Sequence, residues 1–365
     1  PLYMRQAQGF EERDADGNVR RGPNGEELVY VMDRAIYGLV NSGLMWEREH
    51  WGTLIEFGWI QCPGEKTLFQ KDINGVTCYL CTYVDNLFLG FPPGSPDRAV
   101  ELTKLQERYK LEDLGQVKFS LGLRVIQNLR LHHTILHQQP LIEDIVNNYG
   151  HEFPSCRKGT RVLPYDSSII EIPKLDPESK EVSTWWIPCL RLAGKLNYIA
   201  TGTRPDISCA LSFALKNIAG ANQELYRALL KIAAYVSETK HHVLHFGGSS
   251  DAQMKQFIMR HSPAITKDPW STFDVYAMSD ASQGGPRPMQ CSIVFVGGSP
   301  VAWSMGRCTV TTLSATESEL FAQVLAITKL RAFDLIFGFL RIPTRRPYIS
   351  FCDNSAAIQI SGAEK

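Results

Sequence analysis

Residues 78–90, CYLCTYVDNLFLG, have the pattern of a strand, a tight turn and a second strand. Apolar residues continue to Tyr83, the polar pair Asp85 and Asn86 follows, and a second apolar run begins at Leu87. Asp and Asn tolerate the backbone angles of two-residue hairpin turns, so the stretch predicts a β-hairpin with Asp85 and Asn86 at its tip. The alternative is that the Asp85 carboxylate serves a cation. The stretch by itself does not decide between a structural turn and a catalytic one.

The composition is that of a globular protein with several domains. A chain of 365 residues exceeds one ordinary core, and its 44% hydrophobic and 10% aromatic content excludes a disordered chain. The 38 Lys and Arg residues balance the 38 Asp and Glu residues, so no overall charge draws the chain to nucleic acid or to an anionic membrane. Nucleic-acid binding therefore requires a local basic patch.

The cysteines and the apolar runs indicate the environment. Nine cysteines, an odd number spread along the chain, are typical of reduced thiols, which predicts an intracellular, reducing compartment without distinguishing cytoplasm, nucleus and organelle. No apolar run approaches the roughly 20 residues of a membrane span, and no signal-peptide pattern begins the chain. The sequence starts at Pro1, so we expect a processed product or a part of a longer one.

Periodicity divides the chain into segments. Residues 1–165 alternate strand and helix patterns, which predicts an α+β domain. In this segment Asn74-Gly75 predicts a hairpin turn, and a helix ending at Gly58 is expected to bury one face. That face consists of Leu44, Trp51, Leu54 and Ile55. The remaining segments are a mainly helical one (166–250), a polar linker (251–272) and a second mixed strand and helix domain (273–365).

The helical segment carries the local basic patch. Residues 185–245 hold seven Lys or Arg residues against three Asp or Glu residues. We expect any nucleic-acid contact to use Lys195, Arg204, Arg227 and Lys231, because phosphate contacts dominate such binding. A solvated helix face is the alternative interpretation.

Three acidic residues follow the predicted elements of the last segment. Asp280 ends a strand, Glu319 lies in the first turns of a long helix, and Asp353 ends the strand after that helix. Two strand ends and a helix start can meet at one edge of a sheet, where carboxylates would bind a hard cation such as Mg²⁺. The alternative is that Glu319 favours the helix N-terminus and that the two aspartates cap strands.

These acids lie in short motifs that resemble a known family. SATESE (314–319) and CDN (352–354) resemble the ribonuclease H domain of copia-type retrotransposon Pol polyproteins. Further blocks resemble the same family in the same order: QGF (8–10), IYGLVNSGLMW (36–46), YVDN (83–86), LEDLGQVKFSLGL (111–123) and TRPDIS (203–208). Together the blocks span nearly the whole chain.

The resemblance implies a fold and a function. The implied fold is a fingers/palm-type reverse transcriptase fragment, N-terminally incomplete, followed by a helical thumb/connection segment and a ribonuclease H-like mixed-sheet domain, C-terminally incomplete. The implied activities are RNA-directed DNA synthesis at Asp85 and hybrid cleavage at Asp280, Glu319 and Asp353, each with Mg²⁺. The implied partner is RNA or an RNA–DNA hybrid.

Departures from the family pattern weaken the polymerase. Asn86 replaces the second acid of the hairpin, and Val40 and Asn41 replace a usual Lys and Gln. An amide brings no negative charge to the cations on which phosphoryl transfer relies, so we expect a defective polymerase site. Two hypotheses remain: an element-encoded enzyme that works within a longer chain, and a co-opted, inactive structural or RNA-binding subunit of a larger assembly.

Overall fold

The computed structural model describes residues 2–32, 36, 38–154, 163–165, 167–173, 175–247, 256, 275–282, 287–344 and 346–362. The chain divides into two compact units, Pro1–Leu111 and Glu112–Lys365. Helices and mainly antiparallel sheets are mixed in both units, so the α+β prediction is confirmed.

The first unit contains a two-stranded sheet, a four-stranded sheet and two helices. Its elements are β1 (Leu2–Arg5), β2 (Val29–Met32), α1 (Ser42–Glu56), β3 (Ile60–Gln61), β4 (Leu68–Ile73), β5 (Val76–Tyr83), β6 (Asn86–Gly90) and α2 (Asp97–Arg108). Strands β3 to β6 are neighbours in chain order, and both helices contribute to the core on this sheet. That core consists of Leu54, Trp59, Phe69, Cys78, Leu80 and Leu105.

Two local predictions in this unit have different outcomes. The hairpin at Asn74-Gly75 is confirmed, because both residues have positive φ (51° and 81°) and Ile73 pairs with Val76. The predicted apolar face of α1 is only partly correct. Leu54 is fully buried and Trp51 packs on the core, but Leu44 and Ile55 are exposed. The buried stripe of α1 is narrower than the hydrophobic pattern indicated, and it includes the polar residues His50 and Thr53.

The second unit begins with a sheet and a helical core. Its first elements are β7 (Phe119–Ser120), β8 (Leu123–Asn128), β9 (His133–His137), α3 (Gln139–Tyr149), α4 (Lys180–Gly202), α5 (Ser208–Leu215), α6 (Gln223–Glu238) and β10 (Leu244–Phe246). Buried apolar residues of α3 to α6 form one cluster. The Asn222 side chain caps α6 by accepting from the Leu225 N–H at 2.8 Å. The apolar residues that α3 to α6 bury in this cluster explain the helical character predicted for this segment.

The division between the units differs from the boundary expected near residue 165. Strand β10 pairs with β9, and the Tyr198 hydroxyl donates to the Leu121 carbonyl at 2.6 Å. These contacts join residues 119–149 to the helical segment, so the compact units separate at residue 111 instead. The predicted linker, 251–272, lies outside the described residues except for residue 256.

The last part of the second unit is a four-stranded sheet with a long helix against it. Its elements are β11 (Val275–Ser282), β12 (Met289–Val296), β13 (Ser299–Arg307), α7 (Ala315–Phe339), β14 (Ile349–Phe351) and α8 (Ser355–Gly362). The strand order is β13-β12-β11-β14, and β14 is parallel to β11 while the other pairs are antiparallel. Val275, Ala277 and Val294 of the sheet pack with Ala326 and Leu330 of α7.

Within the described part of the chain, no helix combines the length and the apolar character needed to cross a bilayer.

Candidate divalent-cation site

The register of the parallel strand pair brings two aspartates to the same end of the last sheet. In the β11–β14 pair, Met278 lies opposite Phe351. Asp280 lies two residues further along β11, and Asp353 follows the last residue of β14 by two positions. Because parallel strands end at the same sheet edge, both aspartates lie toward the same end of the sheet, and their convergence on one cation stays a prediction.

The start of α7 positions the third acid. The Ser314 hydroxyl accepts a hydrogen bond from the Glu317 N–H at 3.1 Å, and the Glu317 carboxylate accepts one from the Leu313 N–H at 2.6 Å. This reciprocal arrangement satisfies backbone donors at the helix start, as in a capping box. Glu317 therefore caps the helix, while Glu319 is 5% exposed and points into the protein.

Glu319 makes contacts with both strand ends. The Ala281 N–H donates to Glu319 Oε1 at 3.1 Å, and the Cys352 thiol lies 3.8 Å from Glu319 Oε2. Ligand atoms of Glu319, Cys352 and Asp353 all lie within 4.8 Å of one another. We call these three residues the carboxylate–thiol cluster. Among the residues that the structure describes, it is the one group of three or more His, Cys, Asp or Glu ligands at such distances.

Electrostatics make this cluster a site of excess negative charge. Burial raises the pKa of Glu319, and the nearby carboxylates of Asp280 and Asp353 raise it further. The Ala281 N–H and the Cys352 thiol oppose the increase only in part. Asp280 thus acts on Glu319 through its charge, although it is outside the carboxylate–thiol cluster. A cation bound here would remove this repulsion.

The donor set fits a divalent cation. Carboxylate oxygens are the preferred ligands of Mg²⁺, and two of them come from Glu319 and Asp353. Asn354, next to Asp353, accepts a hydrogen bond from the Ala357 N–H at 2.9 Å and so begins α8. Cys352 and Asp353 of the CDN motif thus offer ligand atoms, and Asn354 caps the helix that follows them. The sequence analysis did not assign Cys352 as a ligand, although its position directly before Asp353 was the available signal.

The hairpin of the first unit places Asp85 differently. Tyr83 pairs with Asn86, so the two-residue turn is Val84 and Asp85, which we call the hairpin tip. The prediction that Asn86 occupies the tip is wrong, since Asn86 is the first residue of β6. The left-handed conformation falls on Val84, with φ 54°, although this region is unfavourable for a β-branched residue. Register, set by the flanking apolar strands, overrides the turn preference of Asn.

An aromatic group from α1 holds the hairpin tip. The Trp46 indole N–H donates to the Val84 carbonyl at 3.0 Å. The Trp46 ring lies parallel to the His50 imidazole at 5.5 Å, and the Tyr109 hydroxyl is 3.2 Å from His50 Nδ1. His50 is buried, which lowers its pKa. The sequence analysis did not identify this group. It gives Trp46 of the IYGLVNSGLMW block a structural role.

The surroundings of Asp85 differ from those of Glu319, which has the carboxylates of Asp280 and Asp353 near it. The adjacent Asn86 amide donates a hydrogen bond to the Asp85 carboxylate at 3.3 Å. Within the described residues of the first unit, no three His, Cys, Asp or Glu ligands form a cluster. Among the described residues, the hairpin tip therefore offers one carboxylate and one backbone turn, without a preassembled group of cation ligands around it.

The four basic residues predicted to contact nucleic acid have different surroundings. Arg204 is 1% exposed, and its guanidinium donates two hydrogen bonds to the Asp206 carboxylate and others to Thr239. The prediction that Arg204 contacts nucleic acid is therefore wrong. This arginine is a buried structural ion pair of the TRPDIS block, which the excess of basic residues could not reveal.

The other three cations are closer to solvent. Lys195 forms an ion pair with Asp144 and lies 5.6 Å from the Tyr149 ring centroid. Arg227 and Lys231, one turn apart on α6, line a cleft of about 480 Å³ together with Glu224. Acidic neighbours thus offset part of the positive charge that the sequence pattern indicated.

Comparisons with known proteins show what the chain is similar to. A family model described as "Reverse transcriptase (RNA-dependent DNA polymerase)" matches residues 2–155. The Pol polyprotein from transposon RE1 of Arabidopsis thaliana is 24% identical over 364 residues, which is 98% of this chain. The chain is similar to copia-type retrotransposon Pol polyproteins. It spans 22% of the length of the RE1 polyprotein.

Two shorter proteins are also similar to this chain. A putative transposon Ty5-1 protein of Saccharomyces cerevisiae is 25% identical over 323 residues, covering 87% of this chain and 92% of that protein. An uncharacterized mitochondrial protein of Arabidopsis thaliana is 25% identical over 258 residues, covering 69% of this chain and 92% of that protein. The sequence similarity to these proteins therefore extends across both compact units.

Proposed function

We propose that the chain derives from a copia-type reverse transcriptase and ribonuclease H, and that its hydrolytic site is the better preserved of the two. In this proposal residues 275–362 form a ribonuclease H-like domain that cleaves the RNA strand of an RNA–DNA hybrid. The observation that carries it is the buried Glu319, which contacts Ala281 and Cys352 and has the carboxylates of Asp280 and Asp353 nearby, at the end of the parallel β11–β14 pair. Such an acid cluster is costly for folding alone, so it supports a cation-binding role.

The residues at this edge have distinct roles in the proposed reaction. Glu319 and Asp353 would hold Mg²⁺, with Asp280 adding negative charge beside them. When bound, Mg²⁺ supplies an activated water and stabilises charge on the leaving oxygen. The Ala281 N–H fixes one oxygen of Glu319, which leaves the other oxygen toward Cys352 and the cation position.

We propose further that the first unit is a fingers/palm-like fragment without polymerase activity. Its hairpin tip has Asp85 as a single carboxylate, and Asn86 contributes an uncharged amide from the start of β6. Two cations between a triphosphate and a primer need more negative ligands than this. Nucleic acid would be bound through the basic residues that face solvent on the helical segment, Lys195, Arg227 and Lys231.

Cleavage of a hybrid tests the hydrolytic proposal directly. The full chain is incubated with an end-labelled RNA strand paired to DNA, with Mg²⁺ or Mn²⁺. We expect cleavage that falls by about 100-fold, or about 2.7 kcal/mol, in Asp353→Asn and Glu319→Gln. Glu238→Gln, an exposed charge change on α6, is the matched control and should cleave normally. Equal cleavage by all four proteins would assign the activity elsewhere.

A second candidate function is a co-opted RNA-binding or structural subunit without either activity. The specific observation in its favour is the hairpin tip, where the chain retains the fold but has one acid. In that case RNA binding persists while no variant changes cleavage, because there is none. Counterion release then gives binding that weakens steeply with salt, and reversing Lys195 and Arg227 together reduces the slope. An unchanged slope would exclude these two residues as phosphate contacts.

A further inference from the structure

The carboxylate–thiol cluster combines two kinds of metal ligand. Glu319 and Asp353 offer carboxylate oxygens, and Cys352 offers a sulfur at the same point. Hard cations such as Mg²⁺ prefer oxygen ligands, whereas thiolates select Zn²⁺, Cd²⁺ and related soft or borderline ions. Mixed sulfur and oxygen ligands are therefore expected to discriminate between divalent cations at this site.

The distances match a tetrahedral ion. With Zn–S of about 2.3 Å and Zn–O of about 2.1 Å, a tetrahedral angle places the sulfur and oxygen about 3.6 Å apart. The Cys352 sulfur lies 3.8 Å from Glu319 Oε2. The third ligand atom, from Asp353, is within 4.8 Å of both. The cluster therefore offers three of the four ligands of a tetrahedral ion, and water would complete the fourth position.

The surroundings favour a cation over an isolated thiol contact. Glu319 is 5% exposed, and its carboxylate accepts hydrogen bonds from the Ala281 N–H and from the weakly donating Cys352 thiol. Asp280 and Asp353 place two further negative charges near it. A buried carboxylate with so little compensation gains more from an ion than from a thiol.

We propose that the carboxylate–thiol cluster binds a thiophilic divalent cation, Zn²⁺ in particular, through Cys352 together with Glu319 and Asp353. On binding, the Cys352 thiol releases its proton to solvent and its sulfur becomes a ligand. The same carboxylates cannot then serve Mg²⁺. The regulatory consequence, that Zn²⁺ inhibits hybrid cleavage, rests on the proposed function, whereas the binding itself does not.

Cadmium is the probe for the thiol ligand, because a Cd–thiolate bond has its own ultraviolet charge-transfer absorption. The full chain is titrated with Cd²⁺ as wild type, Cys352→Ser and Cys81→Ser. Cys81 is the matched control, a half-buried cysteine of the first unit outside the cluster. We expect Cys352→Ser to lose one Cd–thiolate band and to bind Zn²⁺ at least about tenfold more weakly. Mg²⁺ affinity should stay within about twofold, since Mg²⁺ uses the oxygens.

A full Cd–thiolate band and unchanged Zn²⁺ affinity in Cys352→Ser would overturn the inference. If that variant does not fold, Asp353→Asn replaces it, and it should weaken Cd²⁺ binding while Cys352 stays reactive to a thiol reagent. Hybrid cleavage is measured alongside. Loss of the band in Cys352→Ser without any wild-type cleavage means that the proposed function fails and the inference stands. Cleavage that is insensitive to Zn²⁺, with no Cys352-dependent band, means that the inference alone fails.

Discussion

Two buried glutamates, one in each unit, have opposite surroundings. Glu101 of α2 is 3% exposed and accepts hydrogen bonds from the ammonium groups of Lys71, at 2.9 Å, and Lys104, at 2.7 Å. Glu319 of α7 is 5% exposed and faces Asp280 and Asp353. Burial acts to raise the pKa of both carboxyl groups. For Glu101 the two lysines outweigh burial and lower its pKa, whereas for Glu319 the aspartates add to the increase.

The difference separates a structural acid from a functional one. Glu101 has its cations within the fold, so its charge is satisfied when the first unit folds. Glu319 has acids where cations would be needed, which costs stability unless an ion binds. The surroundings of a buried glutamate, more than its burial, therefore indicate its role.

The largest effect is expected from neutralising Glu101. Glu101→Gln leaves the ammonium group of Lys71, which is largely buried, without its carboxylate, so the first unit should lose about 3 kcal/mol. Hydrogen exchange of the β4 and β5 peptides measures this, because the two units need not unfold together. Glu319→Gln is the contrasting variant. It should leave those peptides unchanged and should not destabilise the β11 peptides in the absence of divalent ions. Equal losses in both variants would remove the distinction.

Magnesium should stabilise only the second unit. At a tenfold excess over its dissociation constant, Mg²⁺ adds about 1.4 kcal/mol by mass action. Exchange of the β11 and α7 peptides with and without Mg²⁺ should show this increase in wild type and no increase in Asp353→Asn. Stabilisation that persists in the variant would place the ion elsewhere.

Much of this comparison was accessible from the sequence. The strand and helix order of residues 275–362 predicted that Asp280, Glu319 and Asp353 lie at one sheet edge, and the parallel β11–β14 pair is what this prediction requires. Other features depend on partners far apart along the chain. Lys71 of β4 reaches Glu101 from 30 residues away, and the burial of Arg204 depends on Thr239 after α6.

Local residue preferences also gave wrong predictions where contacts within the folded structure determine the conformation. The Asp-Asn pair has better turn chemistry than Val84, yet the register of β5 and β6 gives Val84 the left-handed angle. The α1 stripe contains His50 and Thr53 because their partners compensate them, with the Thr53 hydroxyl donating to the Glu49 carbonyl at 3.0 Å. Side-chain hydrogen bonds of this kind leave no periodic signal in the sequence.

Removing the side chain of the residue with positive φ at the hairpin tip should not destabilise the first unit. Val84 is exposed and has φ 54°, so Val84→Gly should stabilise the first unit by about 1 kcal/mol through relief of backbone strain. Val76→Gly, in the same hairpin system but at an ordinary angle, should instead destabilise by about 0.5–1 kcal/mol. Urea unfolding followed through the β5 and β6 amides measures both. A loss of stability in both variants would show that Val84 is not strained.

The smallest effect concerns pH. Because the pKa of Glu319 is raised in the fold, its protonated form is favoured there, and without divalent ions its contribution to stability is full below the ordinary value of 4.5 and is lost as pH rises through the raised pKa. Glu101, with a lowered pKa, has the opposite sign and loses its contribution as pH falls. Unfolding of wild type and Glu319→Gln across this range should differ only in the second unit. Parallel curves there would contradict the assignment.

Counting bound manganese tests the central comparison most directly. Mn²⁺ reports binding through its electron paramagnetic resonance signal and takes the same oxygen ligands as Mg²⁺. The full chain is titrated as wild type, Asp353→Asn and Asp85→Asn. The account predicts that Asp353→Asn loses the tightest Mn²⁺ site and that Asp85→Asn retains it. Loss of that site in Asp85→Asn with retention in Asp353→Asn would contradict the account, because the cation site would then lie at the hairpin tip and not at the sheet edge.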